Sequence, residues 1–439
     1  MKSSFMPRFL MDSLREWASR PDRMPLVLQG ARQVGKTALL KEFGRVEFER
    51  TAYLNFESDP ALASLFEGSL SPRELIPRLE AAVGETLGPR TLLLFDEVQC
   101  CKRALTSLKY FCEEAPELPV AAAGSLLGVA VRPSDSGWPV GKVQTLVLSP
   151  MDFSEYLRAT GGERLIPLVE ESWRENRPVE RLFHERLLRM VREFLVCGGM
   201  PAAVRLVRDG GRSGETWAAV REVQNELLRN SLADMARYAP PREAVRLEAC
   251  YRSLPAQLAK PNQKFQYRVV RSGATAARFE YALDWLEQAG LVRKIRRVST
   301  AGRPLRLFEE EGAFKAMHAD VGLFGAMAGF RPAYILDEAH AREFGGLTET
   351  FVAQSLRARF PELHYWESDN RAEVDFLAET ADGRILAMEA KSGTSVKSKS
   401  LGVFLSRFPG ATALRFSGKN FGSPGAVRSV PVYAATFVG

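Results

Sequence analysis

The run Gly30-Ala31-Arg32-Gln33-Val34-Gly35-Lys36-Thr37 carries the densest chemical signal in the chain. Glycines at both ends of such a loop let backbone wrap closely around an anion, whose charge then faces amides at a helix N-terminus. The pattern G-x-x-x-x-G-K-T reads as a cradle for the phosphates of ATP. Lys36 supplies a point charge for the β- and γ-phosphates, and Thr37 a hydroxyl for Mg²⁺. Gly30 through Ala38 are therefore the candidate nucleotide-binding residues. Further on, the apolar run Thr91–Phe95 ends in Asp96-Glu97. Asp96 is the expected Mg²⁺ partner, usually through water, and Glu97 the carboxylate that polarises an attacking water. Another apolar run, Leu118–Ala123, leads to Gly124-Ser125, where the Ser125 hydroxyl is placed to sense the γ-phosphate. Arg132 and Lys142 follow in a loop rich in Gly, Pro and Ser, and the sequence does not choose between them as a finger on the phosphates.

A second constellation lies near the C-terminus, where Asp375, Glu389 and Lys391 follow a D-x₁₃-E-x-K spacing. Two carboxylates and a lysine bind Mg²⁺ and orient water at a scissile phosphate. Asp375, Glu389 and Lys391 are thus candidate catalytic residues. Glu349, on an expected amphipathic helix over Thr348–Phe360, joins Asp375 and Glu389 as a candidate metal ligand. An E-x-K pair also suits a solvated hairpin edge, so the reading rests on the full spacing.

Placing these groups demands particular elements. Met24–Gln29 reads as a buried strand entering the phosphate loop, and Ala38–Phe43 as the helix leaving it. Alternating strands and helices over 1–150 predict an α/β fold: a parallel sheet of the P-loop NTPase kind. Residues 151–240 read as helical, with long stretches at Glu180–Val196 and Thr216–Tyr238 broken at Cys197-Gly-Gly-Met-Pro201, and suggest a lid. Over 241–310, a helix at Ala276–Gln288 followed by a hairpin of Leu291–Val298 and Leu305–Phe308 suggests a winged helix. Arg293, Lys294, Arg296, Arg297, Arg303 and Arg306 crowd onto its wing. They suit either a phosphate backbone or an acidic protein surface. Residues 311–439 form the last expected domain. There Asp375 lies on a strand over Glu373–Leu377 and Glu389 on one over Ile385–Ala390. Residues two apart on a strand share a face, so Glu389 and Lys391 point the same way.

The chain has 439 residues and a formal charge of +7. That average conceals two basic regions. Pro241–Glu310 holds 14 Lys/Arg against 7 Asp/Glu, and Lys391–Gly439 holds 7 Lys/Arg and no acid, leaving −7 for the rest. Lys397 and Lys399 in the acid-free tail would add charge toward a polyanion. DNA is accordingly a candidate partner through 241–310 and 391–439, a protein partner stays open, and so does an oligomer. A hydrophobic share of 46% argues against disorder. The five cysteines show no C-x-x-C spacing and two are adjacent, which suits free thiols in a reducing cytoplasm. The N-terminus carries Asp12 and Glu16 where a secretory signal needs an apolar run, and the Leu118–Val131 stretch is too short to span a bilayer.

Taken together, these residues resemble a family of bacterial and archaeal AAA-superfamily ATPases with a C-terminal domain of unknown function that looks like a PD-(D/E)xK nuclease. The similarity runs through Gly30–Thr37, Leu92–Gln99, Gly124-Ser125, Pro150–Glu155, Gly198–Pro201, Asp320–Leu323, Glu349–Ala353, Tyr365-Trp366, Glu373–Phe376, Glu389–Lys391 and Lys397–Leu401. It implies an ATP-binding AAA-type core, a winged-helix region and a restriction-endonuclease-like α/β tail, in toxin–antitoxin, defence or mobile-element settings. The chain departs from the family in carrying Lys142 where arginine is frequent, and the two cations are not equivalent at a transferring phosphoryl group.

Overall fold

The structure is a computed structural model that describes residues 5–130, 137–260, 263–368, 372–394, 399–423 and 425–438. Arg132 and Lys397 lie outside the described residues. The chain forms two compact units, Met1–Ser149 with Gln288–Gly290, and Pro150–Glu287 with Leu291–Gly439.

In the first unit, β1 (Leu26–Gln29), β2 (Arg50–Asn55), β3 (Thr91–Asp96), β4 (Val120–Ala123) and β5 (Gln144–Val147) form a sheet in the order β2-β3-β4-β1-β5. Every pairing in it is parallel. The apolar run of β3 follows from that burial, because helices cover both faces of such a sheet. Leu93 and Phe95 pack with Leu105, Leu108 and Phe111, while Leu92 meets the helix Lys36–Glu47 at Gly44. Parallel strands bring their C-terminal ends to one edge. Gly30, Asp96 and Ser125, at or just past the ends of β1, β3 and β4, therefore converge there.

The second unit is built on a seven-stranded sheet, ordered β12-β11-β10-β9-β8-β6-β7. Its strands are β6 (Val292–Val298), β7 (Glu309–His318), β8 (His364–Ser368), β9 (Ala372–Glu379), β10 (Ile385–Ala390), β11 (Thr412–Ser417) and β12 (Val427–Pro431). The expected long helices are present as Arg181–Cys197 and Gly214–Tyr238.

Positions 240 and 310, the expected boundaries, both lie within this unit. Three expectations change. The basic hairpin is the edge of the seven-stranded sheet rather than a wing standing apart, since β6 pairs with β8 on one side and β7 on the other. Leu305–Phe308 is a 3₁₀ turn, not a strand. Pro304 offers no N–H to a ladder, and the chain turns there until Ser299 N–H donates to the Phe308 carbonyl (2.9 Å) and pairing resumes at Glu309. The helix Gly345–Leu356 also differs from the amphipathic one expected, because every residue from Leu347 to Leu356 is buried.

The family-like segments without obvious chemistry meet in a buried polar knot. The Asp320 carboxylate accepts from Gly199 N (2.6 Å), Leu323 N (2.9 Å) and Gln354 Nε2 (3.2 Å). Gln354 Nε2 also donates to the Met151 carbonyl (2.9 Å), and Met151 N–H donates to Gly199 O (2.8 Å). A Cβ on Gly199 would sit 1.9 Å from Met151 O, which is why the break must be glycine. Asp152 closes the knot by accepting from Thr436 Oγ1 (2.8 Å).

Removing the Asp320 carboxylate leaves buried donors unpaired at about 1–3 kcal/mol each before relaxation. Asp320→Ala is therefore expected to destabilise the second unit by roughly 3 kcal/mol. Urea unfolding followed by circular dichroism measures this, and a midpoint within error of wild type would contradict the assignment.

Candidate functional site

The phosphate loop takes its shape from backbone that side chains avoid. Gly30 (φ 147°), Gln33 (φ 65°) and Gly35 (φ 98°) all sit at positive φ, and a Cβ on Gly30 would meet Leu148 O at 2.2 Å. Lys36 opens the helix Lys36–Glu47 and is buried. Its ammonium donates to Ala31 O (2.8 Å), Gly30 O (3.0 Å) and Ser125 Oγ (3.2 Å). Lys36 and Ser125, far apart in sequence, are thus in direct contact. Thr37 Oγ1 donates to Asp96 Oδ2 (2.9 Å), so the two expected Mg²⁺ partners also meet. A hydroxyl beside a carboxylate is the hard-oxygen donor set that Mg²⁺ takes.

Glu97 follows β3 in left-handed backbone (φ 50°), and Gln99 Nε2 donates to its Oε2 at 2.5 Å. Arg32 faces Glu57 at the surface (3.5 Å), and Val34 is buried. Ala38 lies within the helix. Lys142 is paired with Glu113 (3.0 Å).

Sequence reasoning missed β2, whose Tyr53 Oη donates to Asp96 Oδ2 (2.7 Å) and whose Asn55 Nδ2 approaches the same oxygen (3.3 Å). The alternation of Ala52 and Leu54 with Thr51, Tyr53 and Asn55 is the sequence signal that would have found it.

The C-terminal constellation assembles in the second unit. Antiparallel pairing of β9 with β10 sets Asp375 beside Glu389, and Asp375 Oδ2 accepts from Ala390 N (2.8 Å). Lys391 Nζ lies 2.9 Å from Glu389 Oε1, so the pair does share a face. Glu349 Oε1 accepts from Gln263 Nε2 (2.8 Å). Glu349 Oε2 and Glu389 Oε2 are buried without a hydrogen-bond partner. Arg415 Nε lies 3.6 Å from that Glu389 oxygen, beyond hydrogen-bond reach, and buried carboxylate oxygens without a hydrogen bond fit a divalent cation.

The ligand atoms of these three acids are more widely spread than those of Glu309, Glu362 and His364, the one trio within 4.8 Å among the described residues. That trio is already engaged, Glu309 with Arg296 and His364, and Glu362 with Arg306.

Lys315 was not anticipated, because its strand was expected to end before it begins. It is 1% exposed on β7 and ion-paired with Glu373. Burial lowers its ammonium, but Asp375, Glu349 and Glu373 more than reverse this and hold it above the usual range. Burial, then the Asp375 charge, raises Glu349 to about 8 against opposition from Lys315. Burial likewise pushes Asp375 up.

Five cations of the expected wing are engaged within the protein. Arg293 is buried and donates to the carbonyls of Ala353 (3.1 Å) and Phe360. Lys294 pairs with Asp284, Arg296 with Glu287 (3.4 Å), Arg297 with Glu310 (3.3 Å) and Arg306 with Glu362 (3.4 Å). Asp284, Glu287 and Glu310 already stand among the seven acids of this region, and only Glu362 comes from outside it. In the tail, Arg415 faces Glu389 (3.6 Å) and Arg428 stacks on Trp173 at 3.9 Å.

Residues 22–157 match the family model described as an AAA domain. Residues 188–334 and 344–422 match two models described as domains of unknown function, DUF8612 and DUF4143. No curated protein matches the chain. Among solved structures, the Walker-type ATPase PABY2304 of Pyrococcus abyssi is 17% identical with a TM-score of 0.42, over 74% of this chain and 97% of that one. The Aeropyrum pernix ORC1 protein in complex with DNA is 15% identical with a TM-score of 0.28, over 75% and 95%. The Aeropyrum pernix ORC2 protein in its ADPNP–ADP complexes is 13% identical with a TM-score of 0.38, over 76% and 96%. By the match over residues 22–157, the first unit carries an AAA-type P-loop domain. No helix among the described residues is long and apolar enough to cross a membrane.

Glu349 also sets a pH dependence. Its folded-state pKa of about 8 lies above the ordinary 4.5, so its contribution to stability is full below the ordinary value and is lost as pH rises through the folded one. Stability of the metal-free protein should therefore fall between about pH 5 and pH 8, and Glu349→Gln should make that slope shallower. Denaturation midpoints across that range check this; an unchanged slope in the variant would refute it.

Proposed function

We propose that the chain is an ATPase that requires Mg²⁺ and whose nucleotide state controls the second unit. The observation that carries the reading is the convergence of Lys36, Thr37, Asp96 and Ser125 at the end of one parallel sheet, joined by the Lys36–Ser125 and Thr37–Asp96 hydrogen bonds. Amides of Gly30 through Ala38 bind the phosphates, and Lys36 moves from loop carbonyls onto the β- and γ-oxygens. Mg²⁺, held by Thr37 and Asp96, would neutralise charge building between those oxygens. Glu97 orients the attacking water and takes its proton, once its carboxylate leaves Gln99. Ser125, just past the strand between β1 and β3, reports whether the γ-phosphate is present.

For the second unit, the reading is a nuclease-like centre. Glu349, Asp375 and Glu389 would hold a divalent cation that activates water at a scissile phosphate, and Lys391 would stabilise the charge that develops there. Its support is the pair of buried carboxylate oxygens, Glu349 Oε2 and Glu389 Oε2, that accept no hydrogen bond. A second reading, in which this domain is a protein-interaction scaffold within a nucleotide switch, draws support from the paired arginines. Cations already matched to Asp284, Glu287, Glu310 and Glu362 release few counterions on meeting DNA.

Glu97→Gln is expected to retain ATP binding and lose at least about 100-fold in turnover. Phosphate release under saturating ATP measures the loss, and undiminished turnover would remove Glu97 from the mechanism. Asp375→Ala is expected to abolish cleavage of DNA supplied with Mg²⁺ or Mn²⁺. Absence of cleavage by wild type, with DNA affinity indifferent to salt, would favour the scaffold.

A further inference from the structure

Arg8 precedes the helix Leu10–Ser19 and belongs to no motif, yet it is only 8% exposed. Its guanidinium reaches two carbonyls far away in sequence. Nη1 donates to Val34 O (2.8 Å), at the crest of the phosphate loop, and Nη2 donates to Ser149 O. A buried guanidinium is costly unless its donors are used, and here both contacts end on backbone whose position matters.

The first contact bears on phosphate binding. In a trans peptide the C=O and the following N–H point to opposite sides of the bond axis. Holding the Val34 carbonyl toward Arg8 therefore aims the Gly35 N–H away from it, between residues at φ 65° (Gln33) and φ 98° (Gly35) that have little intrinsic reason to stay put. The second contact holds the point where the chain leaves the first unit. Ser149 is the last residue of that unit's main segment, and Pro150 opens the second unit. Met151, next in the chain, is held on both sides, by its N–H to Gly199 O (2.8 Å) and by Gln354 Nε2 at its carbonyl (2.9 Å). Gln354 lies on the helix Gly345–Leu356 that also carries Glu349.

We propose that Arg8 is a positioning residue of the nucleotide site. It sets the Val34–Gly35 peptide for phosphate binding, and through Ser149 it carries nucleotide occupancy to the chain's entry into the second unit. This rests on the ATPase reading above and deepens it. The coupling needs no contact other than hydrogen bonds within each unit and the covalent Ser149–Pro150 bond, since one guanidinium joins the loop at Nη1 to Ser149 at Nη2.

The test uses the full chain, with a fluorescent ATP analogue as probe. Arg8→Ala should weaken binding about tenfold, the loss of a charge-assisted hydrogen bond, and Arg8→Lys, keeping one donor, should lie between. Hydrogen–deuterium exchange of a peptide spanning 147–153 should respond to ATP in wild type and not in Arg8→Ala, even where the two melt alike. A merely structural Arg8 would lower the melting temperature and leave that response intact, which overturns the proposal. So does wild-type affinity in Arg8→Ala. Lys36→Ala separates the two claims. If it abolishes binding while Arg8→Ala does not weaken it, only the role of Arg8 fails. If wild type itself does not bind, the ATPase reading fails and takes this one with it.

Discussion

A charge taken out of water must be met by another charge or by oriented dipoles, and that constraint organises both halves of this protein. Lys36 is buried at the root of its helix and turns to two loop carbonyls and the Ser125 hydroxyl. Arg8 behaves the same way with Val34 and Ser149. In the second unit Lys315 is enclosed with Glu373, Glu349 and Asp375, and Asp320 is satisfied by amides drawn from three separate segments. Each such group fixes backbone that would otherwise be free. The phosphate loop, the Gly198-Gly199 break and the carboxylate cluster are the places where this fixing is tightest.

The two clusters differ in what remains unmet. Around Lys36 the donors all find acceptors within the protein, yet the acceptors are carbonyls and a hydroxyl, weaker partners than phosphate oxygens, so a triphosphate competes well for the ammonium. Around Glu389 the balance runs the other way: Lys391 and Arg415 each face one of its oxygens, yet neither Glu389 Oε2 nor the nearby Glu349 Oε2 accepts a hydrogen bond. An anionic ligand suits the first cluster and a cation the second. Both fit phosphoryl chemistry, from opposite sides of the charge.

Much of the first site was legible in the sequence because its determinants are local. A glycine-bounded loop, a lysine at a helix start and two acids after an apolar strand lie within short stretches, and the parallel sheet gathers them. Asp375 and Glu389 were legible for a related reason, since a hairpin brings its own strands together. What escaped depends on distant partners. Tyr53 and Asn55 reach Asp96 only because β2 lies next to β3. Lys315 escaped because Pro304 delays the return strand until Glu309. The pairing of the wing cations with Asp284, Glu287, Glu310 and Glu362 escaped because a count of charge does not say which groups meet in space. The buried helix Gly345–Leu356 looked amphipathic for want of knowing that sheet and helices enclose it.

The central claim is that the edge formed by β1, β3 and β4 is a working nucleotide site. Release of phosphate from ATP by the purified full chain, measured with Mg²⁺ and again with the metal chelated, tests it most directly. The account predicts turnover that requires Mg²⁺ and disappears with chelation. No turnover under either condition, or turnover indifferent to the metal, would contradict it.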